Sequence, residues 1–151
     1  MRIIIQRSQR ASVSIGGEAH ASTGCGMMIL AGCEHGDTQA DADWLAAKTT
    51  ALRIFDDETG VMNRSIADVG GEILCISQFT LTASTRKGNR PSYIRAMPGA
   101  ESQPLYEYFC EKLESLLGKD KVKRGVFGAD MKVELINDGP VTIIIDSRLR
   151  E

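Results

Sequence analysis

The chain has 151 residues, 42% of them hydrophobic, which is enough apolar material for one core and leaves no length for a second domain. A formal net charge of -2 at pH 7 excludes a generally basic nucleic-acid coat, so any contact with phosphate must come from a local patch. The opening run Ile3-Ile4-Ile5 is too short for a signal peptide and no stretch approaches membrane-spanning length, so the expected address is cytoplasmic, with no membrane contact.

In chain order, residues 2–8 read as a strand. Residues 11–15 read as a second, with Ala11, Val13 and Ile15 alternating against Ser12 and Ser14. Gly16-Gly17 signals a hairpin turn, residues 18–23 return as a weaker strand, and residues 26–32, with Met27-Met28-Ile29-Leu30, suit a strand buried on both faces. The opening therefore predicts an antiparallel meander. From Thr38, a plausible N-cap, the period changes to 3.6, with Ala42, Leu45, Thr49 and Leu52 on one side of a helix. Residues 55–63 form a polar connection, and its run Asp56-Asp57-Glu58 is read as a solvated turn rather than a metal site, because no further ligands converge on it.

Residues 72–78 form a short apolar strand that runs straight into Phe79-Thr80-Leu81. A long loop over residues 82–92 follows, rich in turn formers and cations. A second amphipathic helix spans residues 102–117. It buries Leu105, Phe109, Leu113 and either Leu116 or Leu117, with Pro104 in its first turn. Residues 119–124 give a further basic loop, and residues 131–136 alternate like an edge strand. Residues 141–145 are almost all β-branched, which suits a buried strand, and the tail from Arg148 to Glu151 is expected to fray.

Between those last two strands stands Asn137-Asp138-Gly139-Pro140. Pro140 has no N–H and Gly139 reaches backbone angles closed to other residues, so the pair cannot be an ordinary central-strand segment. On sequence physics alone it is a turn. Held rigidly at the mouth of a strand, it would present two carbonyls in fixed directions, a device suited to sensing shape and not to acid–base work.

The usual catalytic constellations are missing. Only His20 and His35 could act as a base for a serine-type nucleophile, and no nucleophile elbow, Walker loop or dinucleotide fingerprint is present. The cysteines Cys25, Cys33, Cys75 and Cys110 make no CxxC and are read as reduced core residues; with neither histidine at ligand spacing, no metal and no cofactor is expected. Ser77-Gln78-Phe79-Thr80 is either a strand end with local hydrogen bonders or a set of backbone N–H groups able to hold a developing oxyanion. Arg86, Lys87, Arg90 and Arg95, and separately Lys119, Lys121, Lys123 and Arg124, are either solvated loop charges or phosphate contacts.

Taken together, Ser77-Gln78-Phe79-Thr80-Leu81 and Asn137-Asp138-Gly139-Pro140-Val141-Thr142 resemble the two signature motifs of the D-aminoacyl-tRNA deacylases. Ile5-Gln6-Arg7, Arg90-Pro91-Ser92-Tyr93 and Phe127-Gly128-Ala129-Asp130-Met131 support the resemblance, which runs over essentially the whole chain; Tyr93 stands where the family pattern has Phe. The resemblance implies a single α/β domain over residues 1–151, with layered, barrel-like sheets and two helices, working as a homodimer. It implies hydrolysis of D-aminoacyl-tRNA, and also of glycyl-tRNA. Ser77, Gln78, Phe79 and Thr80 would form the catalytic floor, and Gly139 with Pro140 of the other subunit, in the cis form, would be the chirality filter. Arg7 would position that pair, Phe127, Ala129 and Met131 would hold the terminal adenosine, and the tRNA's own 2′-hydroxyl would assist catalysis. Two rivals stand beside this: Thr80 as a covalent nucleophile, and a dimeric nucleic-acid-binding module without hydrolysis.

Overall fold

The structure, a computed structural model, describes residues 1–150. Its spine is β1 (Arg2–Ile15), where the sequence predicts two strands. The polar stretch Ser8-Gln9-Arg10 does not end the strand but bulges it. Ser8 faces Asn137 and Arg10 faces Ile136 on β8 (Met131–Asp146), so Gln9 is the extra residue that bends the strand.

On its other edge β1 is long enough for two partners in tandem: β3 (Gly26–Gly32) pairs with residues 2–8 and β2 (Glu18–Thr23) with residues 11–15. β3 thus pairs with the first half of β1 and not with β2, which corrects the expected meander. β6 (Glu72–Ser77) adds to β3 in parallel, and β7 (Val122–Arg124) adds to β6 in parallel. The six strands make one sheet in the order β2-β1-β3-β6-β7, with β8 on β1. The expected layers are therefore one sheet curled into a nearly closed barrel. Apart from it, among the described residues, stands only the hairpin of β4 (Phe55–Asp56) and β5 (Met62–Arg64), formed where a plain polar connection is predicted.

The curl separates two apolar clusters. Met27, Ile29 and Ala31 of β3 join Ile3, Ile5, Ile73 and the helices, while Met28 and Leu30 face Ala11, Val13, Leu74 and Ile76. β3 is buried on both faces, as its run of four apolar residues predicts. The helices α1 (Gln39–Ala51) and α2 (Gly99–Leu117) pack on the first cluster. At the start of α1 the Asp41 carboxylate accepts the Thr38 N–H at 2.8 Å, as a capping residue should arrange. α2 buries Leu105, Phe109 and Leu113, and it is Leu117 that packs while Leu116 stays exposed. It begins three residues earlier than predicted, the N–H groups of Glu101 and Ser102 bonding Pro98 O, so Pro104 falls in the second turn. The carbonyl that Pro104 leaves unbonded belongs to Ala100, an exposed residue.

Four more expectations change. Residues 131–136 and 141–145 are not two strands but one, and its second half is not buried: Ile143 and Ile145 are half-buried while Ile144 is 66% exposed. The basic stretch 119–124 ends as β7, where Arg124 is held by Glu114 at 2.5 Å. Cys33, Cys75 and Cys110 are buried, but Cys25, which lies in the turn between β2 and β3 outside any apolar run, is exposed; all four are free. The tail is anchored, because Arg148 pairs with Asp37 at 2.8 Å and Arg150 lies 4.7 Å from the Trp44 ring; Glu151 lies outside the described residues. Among the described residues no helix is long and apolar enough to cross a membrane.

Candidate functional site

The site grows from the carboxyl ends of β3 and β6. Gln78 N–H donates to Ala31 O at 2.7 Å, carrying the β3–β6 register one residue past Ser77. The chain then winds into a 3-10 turn over Phe79–Thr82. Leu81 N–H bonds Gln78 O, so the N–H groups of Phe79 and Thr80 come first in the turn, where no preceding carbonyl receives them. Gly32 makes this close approach possible, because a Cβ there would stand 2.7 Å from Gln78 O.

A cavity of about 330 Å³ opens beside the turn. Ser77, Gln78 and Phe79 line one side, Phe127, Ala129 and Met131 another, and Ser102 and Tyr106 of α2 close it. The predicted floor and the predicted adenosine residues are therefore brought together. Thr80 is not among the lining residues, and its hydroxyl accepts the Gln78 amide at 2.5 Å. Sequence reasoning misses Gly32, Ser102 and Tyr106. The Tyr106 hydroxyl donates to Cys75 O at 2.9 Å and its ring lies 6.0 Å from that of Phe127, so it supports the wall. A buried tyrosine on the core face of an amphipathic helix, needing a partner for its hydroxyl, is the one signal that could have marked it.

The cavity offers no base. Burial, with the charge of Asp37 adding to it, pushes the Cys33 thiol up from its ordinary value, and burial together with Cys75 and Cys110 keeps the Tyr106 phenol protonated. Asp130 is paired with Lys132 at 2.8 Å on the exposed rim. His20 and His35 are exposed and line no part of the cavity.

Gly139 and Pro140 lie elsewhere. Between the pairs Gln6–Thr142 and Ser8–Asn137, β1 contributes only Arg7 while β8 contributes residues 138–141, so the Gly-Pro step loops out of the sheet. Its peptide is cis, both residues are exposed, and Gly139 has φ +127°. Arg7 sits beneath as a bracket. Its Nε donates to Asp138 O at 3.0 Å, and its Nη1 donates to Ile54 O at 2.8 Å and to the Asp56 carboxylate at 3.0 Å. The Asn137 side chain bonds the Gln6 side chain and accepts Val141 N–H at 3.2 Å, closing the loop from above.

A second, larger groove of about 680 Å³ contains none of the residues from Ser77 to Thr80. It is mostly apolar, lined by Ile4, Trp44, Leu81, Ile143, Ile144 and Leu149 with the charged Arg2, Lys48 and Asp146 beside them, and Leu81 places it against the back of the 3-10 turn.

A family profile described as D-Tyr-tRNA(Tyr) deacylase matches residues 4–146. The chain belongs to that family. The expectation of an ester hydrolase of this type is borne out by the membership. A "D-aminoacyl-tRNA deacylase" of Bacteroides thetaiotaomicron is 60% identical to this family member over all 151 residues of both chains. One of Dechloromonas aromatica is 55% identical over the same span. Among solved structures, the chain of a "c-Myc DNA Unwinding Element Binding Protein" superposes with a TM-score of 0.93 at 41% identity, covering 97% of this deacylase-family chain and 98% of the other. A probable eukaryotic D-amino acid tRNA deacylase gives 0.83 at 16% identity, covering 95% and 97%, a likeness of fold.

Proposed function

We propose that the protein hydrolyses the ester bond of D-aminoacyl-tRNA, and of glycyl-tRNA, to free tRNA and amino acid, as a cytoplasmic homodimer in which each pocket is completed by the other subunit. The observation that carries this reading is the separation of two exposed backbone devices on one rigid sheet. Val133 lines the cavity, and Gly139 lies six residues further along the same strand. At about 3.3 Å per residue that is roughly 20 Å, too far for one copy to bring its own Gly-Pro step over its own pocket. The apolar groove beside Leu81 supplies a seat for a second copy next to the pocket, and exposed Ile144 supplies surface that such a copy would cover.

In this arrangement Phe127, Ala129 and Met131 hold the terminal adenosine, and the Phe79 and Thr80 N–H groups meet the ester carbonyl and stabilise charge developing on it. With carbonyl and amino group fixed, an L side chain is driven into the Gly139 and Pro140 carbonyl oxygens, and a D side chain points away. Glycine, having no side chain, passes. Arg7 keeps the pair in place. Thr80 is tied to Gln78 and has no base, so the ribose 2′-hydroxyl of the substrate assists the cleavage.

The test compares D-tyrosyl-tRNA, its L counterpart, and a D substrate whose terminal ribose lacks the 2′-hydroxyl. The expected order is rapid loss of the D ester, none of the L ester and slow loss of the deoxy ester, with Thr80→Ala retaining substantial activity. Abolition by Thr80→Ala would instead make Thr80 the covalent nucleophile. A second reading, a nucleic-acid-binding module without hydrolysis, is favoured only by the name of the 41% identical structure. Survival of the D ester at catalytic protein concentrations would select it.

A further inference from the structure

We propose that Phe79 and Tyr93 form a stacking platform for the base that precedes the terminal adenosine in the single-stranded 3′ end of the substrate, with Tyr93 as its positioning residue. The inference rests on the deacylase reading above. Phe79 lines the cavity yet leaves 56% of its surface exposed, and Tyr93, outside the cavity and 39% exposed, stands edge-on to it at 5.1 Å.

The chain builds this pairing deliberately. Ser84 and Ser92 exchange backbone hydrogen bonds at 2.8 and 2.9 Å, which makes a neck that returns Tyr93 to Phe79. Beyond it Met97 N–H bonds Cys33 O at 3.0 Å, tying the exit of the loop to the cavity wall. Residues 79–95 hold four cations and no Asp or Glu. Arg95 is occupied by Thr82 O at 3.2 Å, but Arg86, Lys87 and Arg90 are exposed and, among the described residues, in no ion pair. Exposed rings followed by free cations are what single-stranded nucleic acid requires, a π-face for a base and then charge for the backbone. An apolar peptide could use the rings but leaves the three cations unanswered.

The experiment measures hydrolysis of D-tyrosyl-tRNA and of D-tyrosyl-adenosine, which carries the ester but no preceding base, by the wild type, Tyr93→Ala and Tyr93→Phe. Tyr93→Ala should raise KM for the tRNA about 5- to 150-fold, the range a stacked base is worth, and leave kcat unchanged. It should hydrolyse the adenosine ester like the wild type, which also shows that it is folded, and Tyr93→Phe should behave as wild type on both. In a short RNA with 2-aminopurine before the terminal adenosine, fluorescence should be quenched by the wild type and not by Tyr93→Ala. Equal losses on both esters, no loss on the tRNA, or quenching that survives Tyr93→Ala would overturn the inference while the deacylase reading stands. If the wild type hydrolyses neither ester, both fall.

Discussion

At the scale of single residues, the proposed site rests on two glycines, and they differ in how visible they are. Gly139 stands in a signature motif, and a Cβ there would lie 2.8 Å from Val141 Cγ2 and 3.2 Å from Arg7 Nη2 at a φ that L side chains rarely adopt. In the proposed dimer, Gly139→Val should therefore displace the Gly-Pro step and obstruct the partner's pocket for both hands of substrate. Turnover of D-tyrosyl-tRNA and glycyl-tRNA by the variant checks this; loss of the D ester alone would contradict the steric filter. Gly32 stands in no motif. Its need for hydrogen in place of a side chain comes from Gln78, far along the chain, and nothing local announces that meeting. Gly32→Ala should displace the 3-10 turn and lower kcat on the order of a hundredfold, as small misplacements of a reacting ester do, with a smaller change in KM. Unchanged kcat would mean that the turn is not the catalytic floor.

Elements are where periodicity speaks most clearly and where it misleads in one direction. It locates α1, α2 and β3 because each must bury a face whatever its neighbours are. It splits β1 and β8, because bulges at Gln9 and at residues 138–141 interrupt the alternation without ending the strand. The connection before β5 reads as a solvated polar turn and is organised by one carboxylate. Asp57 accepts the Thr59 hydroxyl at 2.7 Å, the Val61 N–H at 3.1 Å and the Thr59 N–H at 2.9 Å, and these bonds lower its pKa from 3.8 to about 2. Because the folded value is depressed, the contribution of Asp57 to the hairpin is complete above about pH 4 and fades as the pH falls towards 2. Carboxyl NMR should place the Asp57 midpoint near 2 and move it upward in Thr59→Ala; a midpoint near 4 in the wild type would show the turn unbonded.

The whole molecule is closed by its ends. The Met1 ammonium lies 2.6 Å from the Asp37 carboxylate and donates to the Ser147 hydroxyl at 2.8 Å, with both side chains fully buried and Arg148 on the same carboxylate. Asp37→Ala leaves that ammonium buried without its partner and should cost about 3–5 kcal/mol. Urea unfolding would show it as a lower midpoint at unchanged slope, and an unmoved midpoint would refute the closure. The assembly has its own test. Ile144→Asp puts a charge on the face assigned to the second copy, so sedimentation should find a folded monomer that no longer hydrolyses D-tyrosyl-tRNA. A fully active monomer would end the shared-site proposal.

From residue order alone came the helices, the doubly buried β3 and the two motifs whose resemblance points to the family, since propensity, burial period and local chemistry are all short-range properties. What the tertiary structure alone decided was that β1 carries three partners, that Gly139-Pro140 leaves the sheet over Arg7, and that Gly32, Ser102 and Tyr106 belong to the pocket. Those facts depend on which distant backbones meet, and a linear pattern of apolar and polar residues does not encode the bend at a bulge that brings them together.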